Sequence, residues 1–370
     1  MNTPYILHCH SFADLPDLRA GGYVLLYTDG ADSGLETYLT AKGFAVEKSV
    51  VDANAMPHYT ACAMRILPSA TRLIVAMGGY VCMELGKLTA RLHDLPLWCI
   101  PTDYGATACL WCYGVWTVEG APQVLTTPAH TTILLDGVLT ADRNGVQQAY
   151  QHLFGHYVAL HSAIYRHRLF NEEEANPPLR RAAERIAERM RLSVEYDPTA
   201  APAMWQCLSE AASVAEESEI HLLAMAICLY KQDKMPYNKY EMVAAVAEAA
   251  ALCTAKDVPD LYLPPDRAAV LALANTLGWH PIAAPWPTVA EYRRIDWVWR
   301  DYLADCRQAI GDIAAPSKNW RRLAGNAGYG FYADLTPADV AVLLPLAAEL
   351  SPAYTPLKHL YLRGTLNPMI

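Results

Sequence analysis

Residues 71–105, TRLIVAMGGYVCMELGKLTARLHDLPLWCIPTDYG, constrain the fold more than any other stretch. Residues 73–77 are a short apolar run with β-branched members, ending in Gly78-Gly79. Residues 81–92 then carry apolar side chains at helical spacing, and 97–100 form a second apolar run. That run stops at Pro101-Thr102 and a loop containing Gly105. The order reads as strand, glycine turn, helix, strand, loop. A helix starting at a glycine turn aims its unpaired N–H groups and the positive end of its dipole at whatever lies above the strand. A diphosphate would lie there. A plain tight turn carries the same Gly-Gly, and both readings stay open.

The neighbouring segments repeat the pattern. Residues 23–27 (YVLLY) read as a buried strand followed by Thr28-Asp29-Gly30. A helix is expected over 35–42, a strand over 44–51, a helix over 61–67, and two more strands over 115–118 and 132–135. Strands alternating with helices at this spacing predict a parallel sheet covered on both faces. Such sheets bind ligands at the carboxyl ends of their strands, where Asp29, Gly78-Gly79 and Thr102 all fall. After about residue 141 helical patterns dominate, over 145–170, 178–192, 202–231, 237–255, 265–278, 288–311 and 336–349. The expected architecture is an α/β parallel-sheet domain over 1–141 followed by an all-helical domain over 142–370.

Bulk chemistry narrows the partners. With 370 residues, 53% hydrophobic and 18% charged, the chain can bury two large cores. A net charge of −9 without a long basic run argues against nucleic acid. No apolar stretch reaches the roughly 18 residues of a membrane span, and MNTPYILHCHSF lacks a signal-peptide pattern. A cytoplasmic protein with a small-molecule substrate is expected. The ten cysteines, including Cys82, Cys99, Cys228 and Cys253, lie mostly in apolar contexts and read as buried free thiols. Cys109-Leu110-Trp111-Cys112 has CxxC spacing, but one such pair does not complete a four-ligand zinc site. His8-Cys9-His10 reads as alternation after a short strand.

Two helices carry polar patterns. Residues 179–192 hold Arg180, Arg181, Arg185, Arg189 and Arg191 with Glu184 and Glu188 within a turn, which predicts mutual pairing on a solvated face. Residues 150–168 read YQHLFGHYVALHSAIYRHR. His152 and His156 are four apart, so a helix projects both from one face, a spacing that holds divalent metals and also occurs on ordinary surfaces. His221 follows Ser218-Glu219 at the start of an apolar helix and is a third candidate.

This order of features resembles the superfamily of iron-containing alcohol dehydrogenase, glycerol dehydrogenase and dehydroquinate synthase. The resemblance rests on Thr28-Asp29-Gly30, on Gly78-Gly79-Tyr80 followed by Glu84 and Gly86-Lys87, on Pro101-Thr102, on Asp136, and on the α/β half preceding a helical half. It implies a nicotinamide cofactor, NAD or NADP, over Gly78, Gly79 and Thr102, bordered by Tyr80 and Pro101, with Asp29 near the adenosine end. It implies a divalent metal, zinc or iron, on His152, His156 and His221, in a cleft between the halves. Family members commonly form homo-oligomers.

The departures are specific. Tyr80 replaces a third glycine, and a positive φ there would strain a tyrosine. His152 stands where the family has an aspartate. Lys239 stands where the family has its last histidine. Lowering a lysine from about 10.4 to about 7 costs about 4–5 kcal/mol, so the simplest account is that Lys239 is not a ligand: either it stands in for the metal's positive charge or the site is empty. Lys239 and His221 are the expected catalytic groups. The resemblance implies an NAD(P)-dependent, metal-assisted oxidoreductase of a small alcohol or polyol. The alternative is a relative with an altered or lost metal site: a dehydroquinate synthase-like lyase or cyclase, or a non-catalytic binding protein.

Overall fold

The computed structural model of the protein describes residues 3–18, 20–30, 34–52, 65–118, 121–171, 177–192, 198–214, 267–278, 287–313, 337–350 and 356–363, with short pieces between 223 and 252. The chain divides into two compact units. The first is Met1–Tyr150 with Glu195–Ser213 and Lys234–Asn238. The second is Gln151–Val194 with Val214–Asp233 and Lys239–Ile370.

The first unit begins with β1 (Tyr5–Cys9), β2 (Tyr23–Thr28), α1 (Leu35–Ala41), β3 (Ala45–Val50) and β4 (Thr71–Gly78). It continues with α2 (Tyr80–His93), β5 (Leu97–Pro101), β6 (Tyr113–Val118), β7 (Ala121–Thr126) and β8 (Thr131–Leu135). Six strands form one sheet in the order β1-β8-β5-β4-β2-β3. Every pairing in it is parallel. The central strands are unbroken apolar runs because both faces of a parallel sheet are covered. Val24, Leu26, Val75, Met77, Ile100 and Ile133 make its core.

Two expectations change. The strand expected over 115–118 does not join the sheet; β6 pairs antiparallel with β7 in a separate hairpin. Only two residues separate the two strands, and a connection that short permits antiparallel pairing alone. Of the helix expected over 61–67, residues 61–64 lie outside the described residues, and 65–67 are not helical.

Helix α2 is buried along most of its length, from Tyr80 to Ala90. Gly86 lets it approach β4, since a Cβ there would stand 2.6 Å from the Cβ of Ala76. Lys87 is fully buried, so its charge needs partners. It finds Glu84 at 2.5 Å, the Tyr113 carbonyl at 2.6 Å and the face of Trp111.

Helix α3 (Arg143–Asn171) leads from the sheet unit into the helical one. It is followed by α4 (Pro177–Leu192), α5 (Ala201–Val214), α6 (Arg267–Thr276), α7 (Val289–Ile313), α8 (Pro337–Leu350) and α9 (Pro356–Leu362). On α4 the buried residues are Leu179, Ala182, Ala183, Ile186, Ala187 and Met190, an i, i+3, i+4, i+7 stripe. Tyr165, Trp299 and Tyr302 pack as an aromatic core between α3 and α7. Asp296 of α7 pairs with His359 of α9 at 3.3 Å and with Arg363 just beyond it. Residues 337–363 therefore supply charge partners as well as apolar packing.

Candidate functional site

Parallel register brings three chain reversals to one edge of the sheet. Thr28 lies opposite Met77, and Gly78 opposite Pro101, so β2, β4 and β5 end at nearly the same level. The Thr102 N–H donates to the Gly78 carbonyl at 3.2 Å, holding the β5 loop beside the β4 turn. Gly78 has φ +151°, a conformation that favours glycine. A Cβ there would lie 2.7 Å from Asp29 Oδ2 and 2.8 Å from Cys82 Sγ. Gly79 is the N-cap of α2, and its N–H donates to Asp29 Oδ2 at 2.8 Å. One of the helix's unpaired amides is thus taken by the protein's own carboxylate.

Asp29, Gly78, Gly79, Tyr80, Pro101 and Thr102 are all found at this edge. Tyr80 is the correction. It is the first residue of α2 and its side chain is 7% exposed. Among the described residues only Asp94 combines a side chain with positive φ. The strain expected at Tyr80 is absent, because the glycine turn is complete before the chain reaches it.

Asp103, which follows Thr102, belongs to no motif visible in the sequence. Its Oδ1 accepts from the Gly105 N–H at 2.6 Å. Its Oδ2 lies 3.5 Å from where a Gly79 Cβ would stand, and Asp29 Oδ2 is 3.6 Å from that same point. Asp142, which accepts from the Gly145 N–H at 2.6 Å, adds a third carboxylate. Burial pushes the Asp103 carboxyl up to about 6; the Gly105 amide opposes this, and the charges of Asp142 and Asp29 reinforce it. The only signal in the sequence was an acidic residue directly after a strand-end threonine.

In the helical unit, His152 and His156 are both buried. His156 Nδ1 is 2.9 Å from the His152 carbonyl. A carbonyl only accepts, so Nδ1 carries the proton and Nε2 the lone pair. That tautomer suits a metal ligand, whose second nitrogen ordinarily donates to a carbonyl or carboxylate. His152 Nδ1 stands 3.8 Å from Glu241 Oε2. Among the described residues no group of three or more histidine, cysteine, aspartate or glutamate side chains could hold a metal. His221 and Lys239 lie outside the described residues. The described residues therefore show two histidines one helical turn apart and no assembled metal site.

Three further expectations can be placed. Arg180 and Glu184 do not pair with each other; both line a cavity of about 320 Å³ with His161, Arg168 and Asp305, where Arg168 is already bound to Asp305 at 2.8 Å. Cys82, Cys99, Cys109 and Cys112 are buried and free, whereas Cys228 and Cys253 lie outside the described residues. Asp136 forms an exposed pair with His10 at 2.7 Å, at the carboxyl ends of β8 and β1. Among the described residues no helix is long and apolar enough to cross a membrane.

No protein-family model matches the sequence, and no curated protein matches it either. Solved structures do match it. A mutant of an archaeal halo-thermophilic alcohol dehydrogenase from a Red Sea brine pool superposes with a TM-score of 0.57 at 12% identity, over 97% of this chain and 96% of that one. A provisionally named alcohol dehydrogenase from Ralstonia eutropha JMP134 gives 0.56 at 18% identity, over 98% and 94%. Maleylacetate reductase from Rhizobium sp. strain MTP-10005 gives 0.51 at 16% identity, over 93% and 88%. The fold is that of these alcohol dehydrogenases and of maleylacetate reductase. At these identities the likeness is one of fold, and the chain is a divergent example of it.

Proposed function

We propose that the protein is an NAD(P)-dependent oxidoreductase of a small alcohol or polyol, working as a homo-oligomer in the cytoplasm. One observation carries this reading: Asp29, the Gly78-Gly79 turn and Thr102 converge at the carboxyl edge of a parallel sheet, at the head of α2. That edge is where an α/β sheet of this topology receives a nucleotide. Asp29 and Thr102 would meet the cofactor's hydroxyl and amide groups, and the nicotinamide would accept the hydride. His152 and His156 would hold a divalent ion, which would polarise the alcohol oxygen and lower its pKa. The His156 hydrogen bond to the His152 carbonyl orients that imidazole in advance. Lys239 and His221 complete the proposal as the groups that stabilise the developing oxyanion.

A second reading, a relative with altered or lost chemistry, has one observation in its favour. Carboxylates stand where a diphosphate would lie. Titration with NADH and NADPH at pH 6, read by energy transfer from the nine tryptophans, separates the two. Saturation at micromolar cofactor supports the oxidoreductase. No binding at millimolar cofactor favours the second reading.

A further inference from the structure

The β4–α2 turn has the shape of a phosphate seat but not its charge. Its Gly79 amide is engaged by Asp29 Oδ2 at 2.8 Å. Asp103 Oδ2 and Asp29 Oδ2 lie 3.5 and 3.6 Å from one point above Gly79. Asp103 is held there by its other oxygen, which takes the Gly105 N–H at 2.6 Å. A larger residue than Gly105 or Gly145 would collide with it, since a Cβ at either would lie 2.8 or 3.0 Å from Asp103 Oδ1.

Among the described residues, the titratable groups facing Asp103 are acids and thiols. They are Asp29 after β2, Asp142 before α3, Cys82 of α2, and Cys109 in the 3-10 turn after β5. Lys87, the cation inside α2, is committed to Glu84 and to the Tyr113 carbonyl. A diphosphate laid over Gly78-Gly79 would therefore meet two carboxylates at close range, in a partly desolvated site that screens them poorly.

We infer that Asp103 is a specificity-determining residue of this seat: with its carboxylate ionised the turn rejects a diphosphate, and a nicotinamide dinucleotide enters only as Asp103 Oδ2 takes a proton from solvent. The inference rests on the dinucleotide reading above. The proton converts Oδ2 from a repelling acceptor into a donor toward a phosphate oxygen, and no bond other than O–H is made. The raised carboxyl, pushed up first by burial and then by Asp142 and Asp29, brings that proton within reach of ordinary solution conditions.

The test is NADH binding from pH 5.5 to 8.5 by the full-length wild type and by Asp103→Asn, which keeps an oxygen for the Gly105 amide. Wild-type affinity should fall by about tenfold per pH unit above pH 6, as one linked proton requires. Asp103→Asn should bind with little pH dependence and at least tenfold more tightly than wild type at pH 8. Calorimetry of the wild type in buffers of different ionisation enthalpy should show about one proton taken up at pH 7.5. That measurement stands even if the variant does not fold. NADH binding with no proton uptake, or a variant no tighter than wild type at pH 8, overturns the inference and leaves the dinucleotide reading standing. No NADH binding by wild type at any pH overturns the dinucleotide reading, and the inference with it.

Discussion

The α7–α9 cluster and the carboxyl edge of the sheet handle buried charge in opposite ways. In the helical unit two buried carboxylates are answered by arginines: Asp296 by Arg363, with the neutral His359 ring 3.3 Å away, and Glu349 by Arg267 at 2.6 Å. At the carboxyl edge of the sheet unit, three carboxylates of one sign, Asp29, Asp103 and Asp142, converge around a helix start. Pairs of opposite sign hold elements together and ask nothing of a ligand. A like-sign cluster raises the free energy of the folded chain. Titratable groups kept in that state concentrate where something binds.

The largest effect should come from breaking the helical unit's pairing. Asp296→Ala would leave the Arg363 guanidinium, 1% exposed, without its carboxylate. Removing one partner of a buried pair costs about 3–5 kcal/mol, which denaturant titration would read as a lower midpoint at unchanged slope. A cost under about 1 kcal/mol would mean that the cluster is not what holds α7 to α9, and the contrast with the sheet edge would fail.

Acidification should act on the buried histidines and on Asp103 with opposite signs. Burial pushes His130 and His359 down to about 4 in the folded protein, so each is neutral there while its unfolded counterpart binds a proton near 6.5. Between those values the unfolded state holds more protons, and stability falls as pH drops from about 6.5 to about 4. Each histidine contributes up to about 3 kcal/mol to that loss. Asp103 runs the other way. Its folded pKa of about 6 exceeds the ordinary value, so the folded state holds the extra proton. Its contribution improves as pH falls from about 6 to about 4.

Asp103→Asn isolates that smaller term. The variant should be about 1–3 kcal/mol more stable than wild type at pH 8, and close to equal at pH 4 where the wild-type carboxyl is already neutral. Chemical denaturation at the two pH values checks it. An equal gain at both would assign the effect to shape, and the charge argument for the seat would be lost.

How much of this was legible before folding depends on range. The parallel sheet was, because runs such as YVLLY and LIVAM lack alternation and so announce burial on both faces. The partner of β6 was not, because an apolar run does not name the strand it pairs with. Asp29, Gly78-Gly79 and Thr102 followed from the general placement of ligands at strand ends. Asp103 did not, because its meaning comes from Asp29, which lies 74 residues away in sequence, 103 minus 29, and meets it only through the β2–β4–β5 register. The i, i+4 spacing of His152 and His156 was readable, whereas the proton on His156 Nδ1 is set by a backbone carbonyl that only the formed helix supplies. Arg180 and Glu184 had ideal spacing for a pair, yet they face a cavity where Arg168 already holds Asp305.

That last pair gives the smallest and sharpest test of the comparison. Arg168 Nη1 and Asp305 Oδ2 are 2.8 Å apart, a sound ion-pair geometry, but the Asp305 side chain is 61% exposed. Asp296 meets Arg363 with both side chains at 5% or less. The chemical groups are the same, and burial is the main difference. An exposed pair gains little over hydration and is screened by salt, so Asp305→Asn should cost at most about 1 kcal/mol, and less still at about 1 M salt. Measured beside Asp296→Ala in the same denaturant series, a loss several-fold smaller would show that desolvation, not contact geometry, makes the α7–α9 cluster costly to break. A loss above about 2 kcal/mol from Asp305→Asn would show that the cavity between α3, α4 and α7 holds its charges as tightly as the core does.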